Sequence, residues 1–289
     1  MTRERFLING ALNFTVSKVP LHTYNTKYVD DYNKTSFFAT VNDLTGEALG
    51  SVKGAYTVMQ NKDLLDLLLE KVGEGNYDLE DSDCGTFDKG RKVYMFIRYK
   101  KIDADWGQEA ANCYVYALSS HDGSQRLTFG IANKIHSCSN MFGLLMNDKE
   151  NNHIAKHFSG AKERAAVSLE PLIESNVKGL ASLMRTMQEH NISKHDSFVS
   201  DVLDLIADSN LKKKTRKWKE RRESALLSIH DEMEQKGDTY YGLFNGITNY
   251  LTHKANLRLV HNLTGKGGKI SNKALQMIVK QMRETGCLN

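Results

Sequence analysis

Proline is nearly missing from this chain: Pro20 and Pro171 are the two in 289 residues. That excludes a proline-rich linker and a collagen-like tract. Long apolar runs are missing too. No stretch approaches the roughly 18 uncharged apolar residues that a membrane-crossing helix needs. The basic start, Met1 to Gly10, is followed by neither the apolar segment nor the small-residue cleavage site of a leader. Cysteine is scarce and scattered. Cys84, Cys113, Cys138 and Cys287 form no close pair, so neither a disulfide framework nor a C-x-x-C zinc knuckle is expected. The ten histidines include no H-E-x-x-H. No metal, no other cofactor and no membrane partner is therefore expected. What is present is 40% apolar and 9% aromatic residues, enough to bury a core and to exclude global disorder. The composition describes a soluble, cytoplasmic, globular protein and leaves its function open.

Charge is more informative by position than in sum. From Lys212 to Arg222 the chain reads Lys-Lys-Lys-Thr-Arg-Lys-Trp-Lys-Glu-Arg-Arg, eight bases against one acid. That block carries +7 of a net +4, which leaves −3 for everything else. Between Lys62 and Asp88 the sign reverses: nine acids face Lys62 and Lys71. A +7 cluster attracts polyanions. Its members are Lys212, Lys213, Lys214, Arg216, Lys217, Lys219, Arg221 and Arg222, with Trp218 among them. Bases neutralise phosphates, and an aromatic can stack on an unpaired nucleobase. A solvated helix face and a dock for an acidic protein are the competing readings. Eight bases with one acid are too lopsided for an ordinary ladder of salt bridges.

The pattern along the chain predicts an α+β fold. Its N-terminal sheet is antiparallel and hairpin-rich with packed helices, and a mostly α-helical C-terminal half follows. The boundary falls near residue 147, giving an α+β domain over 1–146 and a helical region over 147–289 that packs on the first or stands alone. Residues 1–35 read as an irregular arm with one strand near Asn13–Val19. Phe37–Val41 and Ala48–Val52 flank turn chemistry and form a hairpin. Asn61 is placed as the N-cap of a leucine-rich helix ending at Val72. The acidic stretch after it reads as a loop to about Gly90. Lys92–Lys100 is a strand with Val93, Met95, Ile97 and Tyr99 on its core face. The opposite face carries Lys92, Tyr94, Phe96, Arg98 and Lys100, a basic-aromatic mixture suited to a wet binding surface. Cys113–Leu118 and Arg126–Ile131 form a further hairpin, and a helix runs from Ser139 or Asn140 to Met146. Helical spacing then recurs over 161–188, around Phe198–Ile206, after the basic block, and beyond Asp238, which is placed as a cap. Gly265-Lys266-Gly267-Gly268-Lys269 reads as a flexible connector, with a weak phosphate cradle as its alternative. Ser271 opens the last helix.

His121, Asp122 and Ser124 lie together and invite a hydrolase reading. A triad is assembled from residues far apart in sequence, whereas Asp122-Gly123 between two strands is the expected pair for a tight turn. Turn chemistry accounts for these residues, and no convincing catalytic motif is present. The chain is not expected to be an enzyme.

Three stretches carry a resemblance. The first is Val41-Asn42-Asp43-Leu44-Thr45-Gly46-Glu47-Ala48-Leu49-Gly50 continuing to Tyr56-Thr57-Val58-Met59-Gln60-Asn61. The second is Ser119-Ser120-His121-Asp122-Gly123-Ser124 with Cys138-Ser139-Asn140 downstream. The third runs from Tyr241 to His253 and includes Asn245, Thr248 and Tyr250. Together they resemble an uncharacterised phage/plasmid-like protein family, a domain of unknown function found in phages, plasmids and prophages. The arginine expected ahead of the C-x-N element is replaced here by Lys134-Ile135-His136. The resemblance implies the cytoplasm of a bacterial host and supplies no reaction. It marks Tyr56, Gln60, Asn61, His121, Asp122, Gly123, Asn140, Asn245, Thr248 and Tyr250 as motif residues.

The order of hairpin, helix and strands is similar to the small core of phage annealing recombinases. With the two basic-aromatic segments, this points to a nucleic-acid-binding protein of DNA replication or recombination. Single-stranded DNA binding or annealing as a homo-oligomer is the leading reading. The alternative is a non-enzymatic interaction protein that binds and redirects a host protein, with the acidic block as its surface.

Overall fold

The computed structural model describes residues 1–24, 32–100, 111–135, 141–142, 153–155, 179, 182–193, 196–207, 215–255 and 266–288. The architecture is α+β, with antiparallel sheets and with helices mainly in the C-terminal half. The chain divides into two compact units. One comprises Met1–Ile102, Tyr114–Ile131 and Lys149–Glu174; the other comprises Asp103–Cys113, Ala132–Asp148 and Ser175–Asn289.

The first unit opens with a helix where an irregular arm is predicted. In α1 (Arg3–Asn9) the Thr2 hydroxyl accepts from the Arg5 N–H, Glu4 sits in the first turn, and Phe6 and Leu7 are buried. Seven residues are too few for helical periodicity to show. Gly10 closes the helix so near Cys84 that a Cβ there would stand 2.3 Å from its Sγ. Three strands follow, β1 (Val16–Tyr24), β2 (Tyr32–Asn42) and β3 (Ala48–Lys53), in the antiparallel order β1-β2-β3. The hairpin predicted over Phe37–Val52 is present, with Phe37 opposite Lys53. Its turn is held by Asn42 Oδ1, which accepts from the N–H groups of Leu44 and Thr45.

Helix α2 (Asn61–Val72) buries Leu64, Leu65, Leu67, Leu68 and Leu69. Its N-cap is Gln60 rather than Asn61, and no side-chain cap bond is made. The acidic stretch is not a loop. It is the strand β4 (Tyr77–Phe87), paired antiparallel with β5 (Lys92–Tyr99). Leu79, Cys84 and Gly85 are buried while Glu80, Asp81 and Asp83 are exposed. A register shift between Asp78 and Asp83 breaks the plain alternation that would have announced the strand. The sheet continues with β6 (Ala111–Ser120), β7 (Leu127–Ile135) and β8 (Met141–Phe142), and β9 (His153–Ala155) also pairs with β7. The helix predicted up to Met146 is corrected at Met141–Phe142, which bond to Asn133 and Lys134 as a strand; its other residues lie outside the described ones. Helix α1 packs on β4 and α2, and α2 packs on β5.

From residue 179 on, the described part of the second unit is mainly helical. Residues 182–189 form α3, with Met184 and Met187 buried; most of the remaining helix predicted from 161, including Pro171, lies outside the described residues. Then come α4 (Ser197–Ala207), α5 (Arg216–Lys236), α6 (Tyr240–Asn249), a π-helical turn (Tyr250–Lys254) and α7 (Lys266–Glu284). Thr239, not Asp238, caps α6, because its hydroxyl accepts from the Gly242 N–H at 3.1 Å. The predicted Gly-Lys connector is wrong from Lys266 onward: α7 starts there, five residues before Ser271, with Gly267 and Gly268 buried in its first turn. Glycine lowers helix propensity, and tertiary packing overrides it here.

Two glycines one turn apart set the distance between α5 and α6. A Cβ at Gly246 would lie 2.4 Å from the Ile229 Cα, and one at Gly242 would lie 2.3 Å from the Gly237 carbonyl oxygen. Overpacking against backbone costs about 1–3 kcal/mol or more. Gly246→Val should therefore lower the urea-unfolding free energy by at least about 2 kcal/mol. Burial, with Asp83 nearby, pushes the Cys84 thiol up to about 12. The unfolded chain releases that proton near the ordinary thiol value, so the stability this group contributes is present at neutral pH and is lost as pH rises toward 12. In urea unfolding between neutral and alkaline pH, Cys84→Ala should lose less stability than the parent chain.

Candidate functional site

Six motif residues meet in the first unit. Gln60 and Asn61 stand at the start of α2 and turn their amides away from the helix. Gln60 closes on one residue of β1: its Nε2 donates to the Val16 carbonyl at 2.9 Å, and its Oε1 accepts from the Val16 N–H at 3.0 Å. Asn61, 2% exposed, donates from Nδ2 to the carbonyls of Leu12 and Phe14. That fixes the amide orientation and leaves Oδ1 facing His121 Nε2 at 3.0 Å. Nε2 therefore carries a hydrogen and donates it. His121 is fully buried, its backbone N–H donates to the Arg91 carbonyl at 2.7 Å, and its ring meets the edge of Phe14.

The rest of the turn is bound as tightly. Asp122 Oδ1 accepts from the Ser124 N–H at 2.9 Å, and Gly123 has φ +73°. Gly50 leaves room for this turn: a Cβ there would lie 2.4 Å from the Asp122 Cβ. The Tyr56 hydroxyl donates to the Ser120 carbonyl, and burial together with the Asp122 charge holds that phenol far above its ordinary value. His121 and Asp122 thus serve the turn and its anchoring. Ser124 enters through its backbone N–H.

In the second unit Asn245, Thr248 and Tyr250 are buried in α6 and the π turn that follows it. Asn245 Nδ2 donates to the Tyr241 carbonyl and the Thr248 hydroxyl to that of Phe244, so both side chains bond within the helix. Sequence reading missed the buried charges beside them. Glu232 and Lys236 pair at 3.5 Å with both side chains 7% exposed, and Asn249 Nδ2 donates to Glu232 Oε1. Their one signal is a four-residue spacing on α5. Asn140 lies outside the described residues. One H-x-x-x-H spacing exists, His153 and His157. His153 lies on strand β9, and His157 lies outside the described residues.

The basic-aromatic face of β5 is not an open surface. Phe96 is fully buried and Arg98 is 9% exposed. Tyr94 stacks on Phe87 at 4.8 Å, and burial with Asp83 nearby pushes its phenol up to about 12. Lys92 pairs with Asp88 at 2.9 Å, and Lys100 meets Asp78 at 3.7 Å. Asp66 and Glu80 of the acidic block are also paired, with Arg3 and the N-terminal amine.

Of the basic block, Lys212, Lys213 and Lys214 lie outside the described residues. Thr215 caps α5, its hydroxyl accepting from the Trp218 N–H. Arg216 pairs with Glu220 at 2.8 Å. Arg222 donates to Asp204 and Ser200 on α4, and its guanidinium lies 5.9 Å from the Trp218 ring. Trp218, Arg221 and Arg222 are half-buried, while Lys217 and Lys219 are exposed. The latter two make no ion pair among the described residues. They stand at the positive end of a 21-residue helix that has no acid in its first turn. Cations there cost about 0.3–1 kcal/mol each.

The family model of a domain of unknown function, DUF932, matches residues 48–275. The chain belongs to the DUF932 family. No curated protein and no solved structure matches it. The DUF932 match takes in Gly50, Tyr56, Gln60, Asn61, the His121–Ser124 turn and α6. Val16, Leu12 and Phe14, which Gln60 and Asn61 grip, precede it. Among the described residues no helix is long and apolar enough to cross a membrane.

Losing the Asn61 amide would strip partners from two buried carbonyls and from His121 Nε2, at about 1–3 kcal/mol for each buried group left unsatisfied. Asn61→Ala should cost at least about 2 kcal/mol in urea unfolding, and His121→Gln, which keeps an amide donor, should cost less. Equal loss in both variants would contradict the network.

Proposed function

We propose that this DUF932 protein binds nucleic acid through the phosphate backbone, as a single-stranded DNA binding or annealing protein of replication or recombination. It works in the cytoplasm of a bacterial host as a homo-oligomer. The observation that carries the reading is the start of α5. Lys217 and Lys219 are exposed and without an ion pair among the described residues, at a helix end that already carries positive potential. An anion placed there relieves the cost of that arrangement.

The state of Trp218 supports phosphate contact over base readout. The Arg222 guanidinium lies 5.9 Å from the centre of its ring and is itself held by Asp204 and Ser200, so a nucleobase stacked on that side would compete with a bound arginine. A protein that grips phosphates leaves the base edges free to pair with a second strand, which is what annealing requires. No proton transfer and no metal ion are needed.

Fluorescence anisotropy with a labelled single strand tests this. Affinity should fall steeply with salt, and Lys217→Glu with Lys219→Glu should weaken it at least about tenfold at low salt. Undetectable or salt-insensitive binding contradicts the reading.

A further inference from the structure

The exposed side of α7 is a second basic surface, and no resemblance or charge run points to it. Lys269, Lys273, Gln276, Lys280 and Arg283 are exposed and follow one another at steps of four, three, four and three residues. At 3.6 residues per turn they lie within an arc of about 80° and extend over about 21 Å. The opposite side carries Ala274, Leu275, Ile278 and Met282, all buried, and α7 packs on α4, α6 and the π turn. An apolar face committed in this way is not available for insertion into a lipid surface.

The stripe is poorly compensated. Lys280 pairs with Glu284 at 3.6 Å. Lys269, Lys273 and Arg283 make no ion pair among the described residues. Lys269 and Lys273 are one turn apart, a like-charge spacing that weakens a helix. Lys269 also stands in the first turn, where the helix end is positive and no acid is present. A helix face kept merely for solubility mixes signs to gain from such spacings. This one puts its charges where an anionic chain would have to supply the missing partners.

We infer that the Lys269–Lys273–Lys280–Arg283 face of α7 is a track for the phosphate backbone of a nucleic-acid strand. This deepens the proposed function and rests on it. Along the axis of a duplex, one strand carries a phosphate about every 3.4 Å, so the stripe matches the axial length of about six of them, fewer in an extended strand. Backbone contact along a rigid helix carries no sequence information, so binding through α7 is independent of base sequence.

The test uses the full chain and a labelled oligothymidine, with affinity measured across a salt series. Lys269→Glu with Lys273→Glu should weaken binding at least about tenfold at low salt and lower the log–log salt slope by about 0.7 for each phosphate no longer neutralised. Lys269→Gln with Lys273→Gln should do so more mildly, and circular dichroism should show both variants folded. If the α7 variants bind like the parent while Lys217→Glu with Lys219→Glu binds weakly, the inference falls and the reading of α5 stands. If neither pair changes binding, both fall. If an oligonucleotide of mixed sequence binds by more than about tenfold differently from oligothymidine, backbone tracking by α7 is overturned. Capture by phosphatidylserine vesicles, through these lysines and without oligonucleotide binding, also overturns it.

Discussion

The approach of α5 to α6 is the constraint on which the helical unit depends. It is closer than side chains at Gly242 and Gly246 would permit, since backbone of α5 and its C-cap lies within 2.4 Å of where their Cβ atoms would be. Helices this close bury whatever faces the seam. Glu232 is caught there, and Lys236 and Asn249 are committed to it. A buried charge without a partner costs far more than a paired one returns, so these groups are committed to each other. The uncompensated cations, Lys217 and Lys219 on α5 and Lys269 and Lys273 on α7, are left to the outside.

The first unit solves a different problem with amides instead of charges. Its N-terminal segment must leave α1 and enter β1 through Leu12, Phe14 and Val16, which are buried. Their backbone groups need partners there. Gln60 and Asn61 supply them from the start of α2, and Asn61 reaches on to His121 in a hairpin turn sixty residues away in sequence. The family motif residues of this unit thus read as anchors between segments. Their job explains why Asn61 is not the helix cap: an amide spent on two carbonyls and a histidine has none left for its own helix.

Much of the fold was legible in the sequence where period and turn chemistry agree. The β2–β3 hairpin, the leucines of α2 and the core face of β5 carry strong periodic signals, and the structure contains each. The misses have physical reasons. Helix α1 is too short to show a period. Strand β4 hides beneath acids on its exposed side, with a register shift that breaks alternation. The glycines at the start of α7 spell a connector locally and are overruled by packing. The open binding face expected on β5 failed because sequence alternation does not reveal that Arg98 and Tyr94 are covered. The α7 stripe was readable in principle from its spacing, but single bases spread over fifteen residues stand out less than a run of eight bases.

The proposed function rests on uncompensated positive charge on α5 and α7. An anionic strand that binds the folded chain must raise its stability by mass action, and must do so less as salt displaces it. Thermal unfolding of the full chain with and without single-stranded DNA, at low and at high salt, measures this directly. The midpoint should rise by several degrees at low salt, and the shift should vanish at high salt. A midpoint unmoved by saturating DNA at low salt would contradict it.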